Sequence, residues 1–287
     1  MLESSLAHPL FLRLAWSDAA SYDDSVPEWP HCGGVNGSVI SEKELGLPGN
    51  AGLSKAVVLL RDIKSKHPTV SWADLIQMAG ALAVELTGGG KIDMKYGRVD
   101  ALISSSKGAL PAFQYPFPDG AQSAETHIRN VFYRMGFTNR EIVALCGAHT
   151  IVGHVATYRA TLAPPSTPNK PRTFAYVYMI FRPSTRIIRL IQCCGITGGV
   201  NIPGGKSWTE KWMCFDNSYF RRSDAGENTD LLWLPTDRAL CESPEFKAYY
   251  QKYAADQALF LTDYGQAHKK MSELGSKFQP PGGLHIP

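Results

Sequence analysis

Apolar positions recur at three- and four-residue spacing through most of this chain, and that period predicts helices. In residues 138–159, TNREIVALCGAHTIVGHVATYR, Thr138 and Glu141 form a capping-box signature. Ile142, Leu145, Cys146 and His149 then fall at i, i+3, i+4 and i+7, one face of a single helix. An earlier helix is predicted over His8–Tyr22, with Pro9 in its first turn and Leu10, Leu14 and Ala15 giving apolar bulk. Arg13, Trp16 and Ser17 share one face of it. Helical periodicity also marks Asn50–Ser65, Ser71–Thr87 and Glu245–Leu274, with Ser71 and Asp74 as a start signal and Gly88–Gly90 as a stop. Residues 91–123 are rich in Gly, Pro and Ser and read as loops joining two helical lobes. Residues 160–203 break the pattern. There PPSTPNKPR is followed by alternating FAYVYMIF and by RIIRLIQCCGI, whose periodicity allows a strand followed by a short helix or second strand.

Composition narrows the options. A chain of 287 residues, 44% apolar and 19% charged, buries a large core as one domain or two lobes. A net charge of +3 gives no global field favouring nucleic acid or an anionic membrane. Phe174–Phe181, the most apolar run, is far below the ~20 residues of a membrane span. Met1–Arg13 lacks the basic head and apolar run of a secretory leader. The six cysteines form no CxxC pair, which points to reduced thiols rather than disulfides or a zinc site.

The candidate chemistry starts at His149. An imidazole that closes an apolar stripe needs a partner for each nitrogen. It is either a core histidine bonded to a carbonyl or an axial ligand to haem iron whose second nitrogen is held by a carboxylate. Arg13 beside Trp16 is either a snorkelling pair or the ceiling of a cofactor pocket.

LRLAW (12–16) with the turn after it resembles the distal helix of class I haem peroxidases, ascorbate peroxidases above all, and CGAHTIVG (146–153) resembles their proximal helix. In the same order come GGVNGS (33–38), SWADLIQMAG (71–80), KYGRVDA (95–101), FYRMGF (132–137), SWTEKWMCFDNSYF (207–220), LLWLPTD (231–237) and KYAADQALFLTDYGQAH (252–268). LGSKFQPPGG (274–283) is most similar to the chloroplast stromal type. The likeness covers nearly all of the chain except about 160–203.

The resemblance implies a mainly α haem-dependent peroxidase fold in one domain, 1–287. A distal lobe (about 1–120) and a proximal lobe (about 121–287) would sandwich haem b. It implies that His149 ligates iron, Asp237 accepts from its other nitrogen, and Trp208 lies against His149 and bonds the same carboxylate. Without it, Asp237 in Pro-Thr-Asp reads as a turn or cap, and Trp208 as core filling. Arg13 would stabilise charge on the leaving oxygen, Trp16 would pack over the porphyrin, and Asn50 matches the residue that orients a distal histidine. Arg159 matches an ascorbate-binding arginine if one residue is inserted before it, or is a surface residue. Thr150, Thr209 and Asp216 match ligands of a potassium or calcium ion, with Lys211 replacing another, and Asp216 alone reads as a cap. Hydrogen peroxide and a small reductant such as ascorbate are the implied partners, and the chloroplast stroma the implied location.

Two departures qualify this. Ser17 stands where the family has its distal histidine, the general base and then acid toward peroxide. A serine hydroxyl titrates far too high for that, and Asp18 lies about 100° round the helix. Residues 160–203 are either a genuine insertion or an aberrant one. The expected function is therefore a haem peroxidase with impaired activity. The alternatives are a pseudoperoxidase that binds haem or serves a structural role, and a non-functional product of an altered gene.

Overall fold

Helix α1 (His8–Ala19) sets one wall of the molecule, with Phe11, Leu14 and Ala15 fully buried. The computed structural model describes residues 7–101, 112, 115–151, 153–155, 205–222 and 231–285. α1 stops at Ala19, three residues before the predicted end. α2 (Ser54–Lys66) starts later than predicted because Gly52, at φ +83°, breaks the backbone, leaving Asn50 in a separate short turn, Pro48–Asn50. α3 (Trp72–Val84) begins at the predicted cap, where Ser71 Oγ accepts from Asp74 N at 3.0 Å. The Asp100 carboxylate takes the Trp72 and Ala73 amides at 2.8 and 2.9 Å. Beyond Val84 the helix widens into one turn, Glu85–Gly89, and ends.

α1 and α3 lie unusually close. A Cβ on Gly80 would sit 2.6 Å from the Ala15 methyl, and Gln77 Nε2 donates to Ala15 O at 3.0 Å. With α2 they enclose one apolar cluster containing Leu10, Leu53, Leu60 and Ile76.

A larger cluster gathers α4 (Ala124–Arg134), α5 (Asn139–Cys146), α6 (Pro235–Glu242), α7 (Pro244–Ala255) and α8 (Gln257–Glu273). α5 opens on the predicted capping box: Thr138 N donates to Glu141 Oε2 at 2.8 Å, and Glu141 N to Thr138 Oγ1 at 3.4 Å. Arg98 ties the two halves together. Its Nη1 meets Asp74 Oδ1 on α3 at 2.8 Å and its Nε donates to Ser272 O on α8 at 2.9 Å, all out of water. A buried pair of this kind is costly to break, about 3–5 kcal/mol.

β-structure is slight among the described residues. β1 (Lys95–Tyr96) pairs antiparallel with β4 (Leu284–His285), and β2 (Gly153–Val155) with β3 (Gly205–Ser207). Gly153 faces Ser207 and Val155 faces Gly205, so the chain leaves and returns at neighbouring points. The apolar runs of 160–203, and Arg159, lie outside the described residues. Among those described, Cys32, Cys146, Cys214 and Cys241 are free thiols, and no helix is long and apolar enough to cross a membrane.

Candidate active site

A cleft with about 1220 Å³ of unfilled space, its mouth included, separates α1 from the C-terminal end of α5 and the start of α6. The helical face predicted for α1 forms one wall, with Arg13, Trp16 and Ser17 all lining it. His149, Cys146, Trp208 and Asp237 line the opposite wall.

His149 is not on the α-helix that the stripe predicted. α5 ends at Cys146, and His149 rides on a tighter 3₁₀ turn, Gly147–Thr150. The turn packs tightly: a Cβ on Gly147 would fall 2.4 Å from the Phe260 ring, so glycine lets α8 approach here.

Asp237 organises the wall. Pro235 occupies the first turn of α6, and Asp237 two residues on accepts the Leu234 amide at 2.8 Å, a helix-cap bond. The same carboxylate takes His149 Nδ1 at 3.0 Å, Trp208 Nε1–H at 2.7 Å and the Tyr219 hydroxyl at 2.7 Å. It is fully buried. Burial pushes its pKa up, but the charge and hydrogen bond of His149 and the donors Tyr219 and Leu234 outweigh that and hold it below the ordinary carboxylate range. Trp208 stacks on His149 at 4.1 Å and 13°. With Nδ1 donating to the carboxylate, the ring in its neutral form would carry its lone pair on Nε2, the arrangement a metal-binding imidazole needs. Burial, with Asp237 nearby, pushes the Cys146 thiol well above its usual range, so it stays protonated.

On the α1 wall, Arg13 Nη2 reaches, among the described residues, the Gly49 and Ala51 carbonyls at 3.3 and 3.4 Å. Asn50 donates from Nδ2 to Glu44 O at 2.9 Å, while its buried Oδ1 has no partner among the described residues. Trp16 packs on Phe132 with centroids 5.2 Å apart. Ser17 is 6% exposed. Asp18 points elsewhere, as expected: it accepts the Gly37 and Val39 amides at 3.1 and 3.3 Å, and burial raises it to about 7.

Thr150, Thr209 and Asp216 come together behind the histidine turn. Thr150 Oγ1 lies 3.1 Å from Cys214 O, 3.2 Å from Asp216 Oδ1 and 3.3 Å from Ser218 Oγ, and Thr209 Oγ1 donates to Thr150 O at 2.8 Å. Asp216 also caps the Asn217–Tyr219 turn through Ser218 N at 2.9 Å, the cap that its place in FDNSY suggests.

Two site residues escaped the sequence reading. Tyr219 looks like one more core aromatic in FDNSYF. His127 lines the cleft from α4, but its Nδ1 bonds Asp119 Oδ1 at 2.8 Å, its Nε2 accepts from Ala112 N at 3.1 Å, and its ring stacks on Phe117. Its place in HIRNVF, on the buried face of an amphipathic helix, was the available signal.

An imidazole held by a buried carboxylate under a stacked indole, facing an arginine across an apolar cleft in a mainly helical frame, is the arrangement of a haem peroxidase fold. A family model described as Peroxidase matches residues 2–256, and the chain belongs to that family. It is 41% identical over 286 residues to the probable L-ascorbate peroxidase 8, chloroplastic, of Oryza sativa subsp. japonica, covering 100% of this chain and 54% of that protein. It is 42% identical over 289 residues to L-ascorbate peroxidase T, chloroplastic, of Arabidopsis thaliana, covering 100% of this chain and 60% of that protein. The probable L-ascorbate peroxidase 5, chloroplastic, of the same rice is 42% identical over 286 residues, and the chain spans 80% of its length. The chain thus spans little more than half of the first two relatives.

Proposed function

We propose that this chain binds haem b through His149 and acts as a peroxidase, oxidising a small donor such as ascorbate at the expense of a peroxide, with slow turnover on hydrogen peroxide. The observation that carries the reading is the 3.0 Å contact between His149 Nδ1 and Asp237 Oδ1, which favours the tautomer with Nε2 free to meet iron. The donor chemistry suits the cofactor: an apolar cleft, an imidazole held by a carboxylate, and a buried acceptor in Asn50 on the facing wall with no partner among the described residues.

Haem, when bound, supplies the redox chemistry that breaks an O–O bond. The protein's part follows from its own side chains. Asp237 takes the His149 Nδ1 proton into a strong hydrogen bond and makes the imidazole a better donor. Arg13 holds a fixed positive charge across the cleft, where negative charge on a departing oxygen is stabilised. Trp16 supplies an apolar wall that keeps water off. Ser17 can orient a water but cannot move a proton as an imidazole does, which costs on the order of 10²–10⁴ in rate. Thr150, Thr209 and Asp216 hold a potassium or calcium ion in this reading, supported by their convergent oxygens. Arg159 is assigned to the donor and the chloroplast stroma to the protein, both on likeness alone.

Titrating the purified chain with haem yields a Soret band that His149→Ala loses; an undiminished band in the variant refutes the ligand assignment. Ser17 also favours a second reading, a pseudoperoxidase that keeps haem without turnover. Peroxide that leaves the Soret band unchanged in the loaded chain selects it.

A further inference from the structure

The α1 wall of the cleft carries a fixed cation, Arg13, a buried unpartnered acceptor, Asn50 Oδ1, and a small hydroxyl, Ser17, but no free proton carrier among the described residues. Every other titratable group lining the cleft among the described residues is accounted for. His149, Asp237 and Cys146 belong to the opposite wall. His127 has both nitrogens engaged, and the Tyr264 hydroxyl is held by His268 Nδ1 at 3.1 Å. Asp18, the nearest carboxyl in sequence, faces the Gly37 and Val39 amides.

That inventory separates peroxides by what they ask of the protein. To yield water, hydrogen peroxide must have a proton moved from the oxygen that stays to the oxygen that leaves. A peroxycarboxylate anion asks for no such transfer. Were haem bound, its O–O bond would break heterolytically, with the electron pair leaving on the carboxylate and the two-electron oxidation and the remaining oxygen falling to the cofactor's own chemistry. The departing carboxylate is already a stable anion and needs only a positive charge beside it. Arg13 supplies that charge, with its guanidinium bonded, among the described residues, at 3.3 and 3.4 Å to carbonyls. A serine in place of an imidazole also leaves room for an acyl group on that side.

We propose that the oxidant suited to this site is an organic peroxycarboxylate, which approaches over Ser17 with its departing carboxylate against Arg13. The proposal rests on the haem reading above and assigns the peroxide class that the site prefers.

The unaltered haem-loaded chain, mixed in stopped flow with peracetic acid and separately with hydrogen peroxide, decides it. Spectral oxidation is expected to run at least about 100-fold faster with peracetic acid, the size of the missing acid–base contribution. Equal rates overturn the proposal. Ser17→His is expected to close most of the gap by raising the hydrogen peroxide rate; a ratio unchanged in a folded, haem-loaded variant overturns it too. A readout independent of turnover is equilibrium binding of phenylacetate, an inert stand-in for the departing group, to the ferric loaded chain. Binding that weakens about tenfold or more in Arg13→Leu supports the placement, and no binding to the unaltered chain, or equal binding in the variant, overturns it. Failure of the chain to acquire a Soret band at all sinks the haem reading, and this proposal with it. That outcome is distinct from a loaded protein that treats both oxidants alike.

Discussion

Tyr219 donates its hydroxyl hydrogen to Asp237 Oδ1 at 2.7 Å, the same oxygen that receives His149 Nδ1 at 3.0 Å. The phenol and the imidazole therefore compete for one carboxylate oxygen. Removing the phenol's bond in Tyr219→Phe concentrates the carboxylate's basicity on His149 and makes the ring a stronger ligand. The ferric/ferrous midpoint potential of the haem-loaded variant should move to more negative values, and stability should fall by about 1.5–3 kcal/mol for the lost bond to a charged group. Spectroelectrochemistry checks the first and urea unfolding the second. A potential that stays put or rises contradicts the competition.

Asp237→Ala should be harsher. It strands the His149, Trp208, Tyr219 and Leu234 donors together. A loss of about 3–5 kcal/mol and a 10- to 100-fold weaker haem affinity are expected, read by urea unfolding and haem titration. Retention of both would mean that the carboxylate is dispensable.

Asp18 gives a pH dependence of defined sign. Burial, assisted by Glu44 and Asp100 and opposed by the Gly37 and Val39 amides, lifts its folded pKa from 3.8 to about 7. Between those values the folded chain keeps a proton that the unfolded chain has released. Stability from this group is therefore complete at the acid end and declines as pH rises toward 7, by up to about 1.4 kcal/mol per pH unit. Asp18→Asn should flatten that part of the profile relative to the unaltered chain in urea melts from pH 4 to 8. Parallel profiles rule the effect out.

Gly147→Ala places a methyl 2.4 Å from the Phe260 ring, and the flexible remedy is to push the histidine turn toward the cleft. An overpacking cost of about 1–3 kcal/mol is expected, together with a shifted Soret maximum. An unaltered spectrum with unaltered stability would show that the turn has slack.

The pairing of Val155 with Gly205 makes the fate of 160–203 testable. Excising those residues leaves five, 156–159 and 204, between paired strand ends, within the usual hairpin range of 2–5. The shortened chain should keep its Tm within a few degrees and its Soret band. Collapse of either means that the segment contributes to the core.

Much of the helical frame was legible because each helix buries one stripe, as at Ile142 and Leu145, and announces its start, as at Thr138 and Ser71. Helix ends were less so. The need for glycine at 147 comes from Phe260, more than a hundred residues away, and no local pattern contains that contact. The site was legible in part. Arg13, Trp16 and Ser17 share a face by spacing alone, whereas the meeting of His149 with Asp237, 88 residues apart, came only from likeness to known peroxidases. Tyr219 stayed hidden because a phenol that bonds a carboxylate and one that fills space have the same sequence signature. His127 stayed hidden because nothing in HIRNVF shows that both its nitrogens are engaged.

Leu234 N–H, the first orphan amide of α6, finds its acceptor in the carboxylate that steers His149. Winding that short helix and aiming the imidazole are thus one event. The imidazole should emerge from folding already aimed, and any drift in sequence that frays those eight residues will also loosen its orientation.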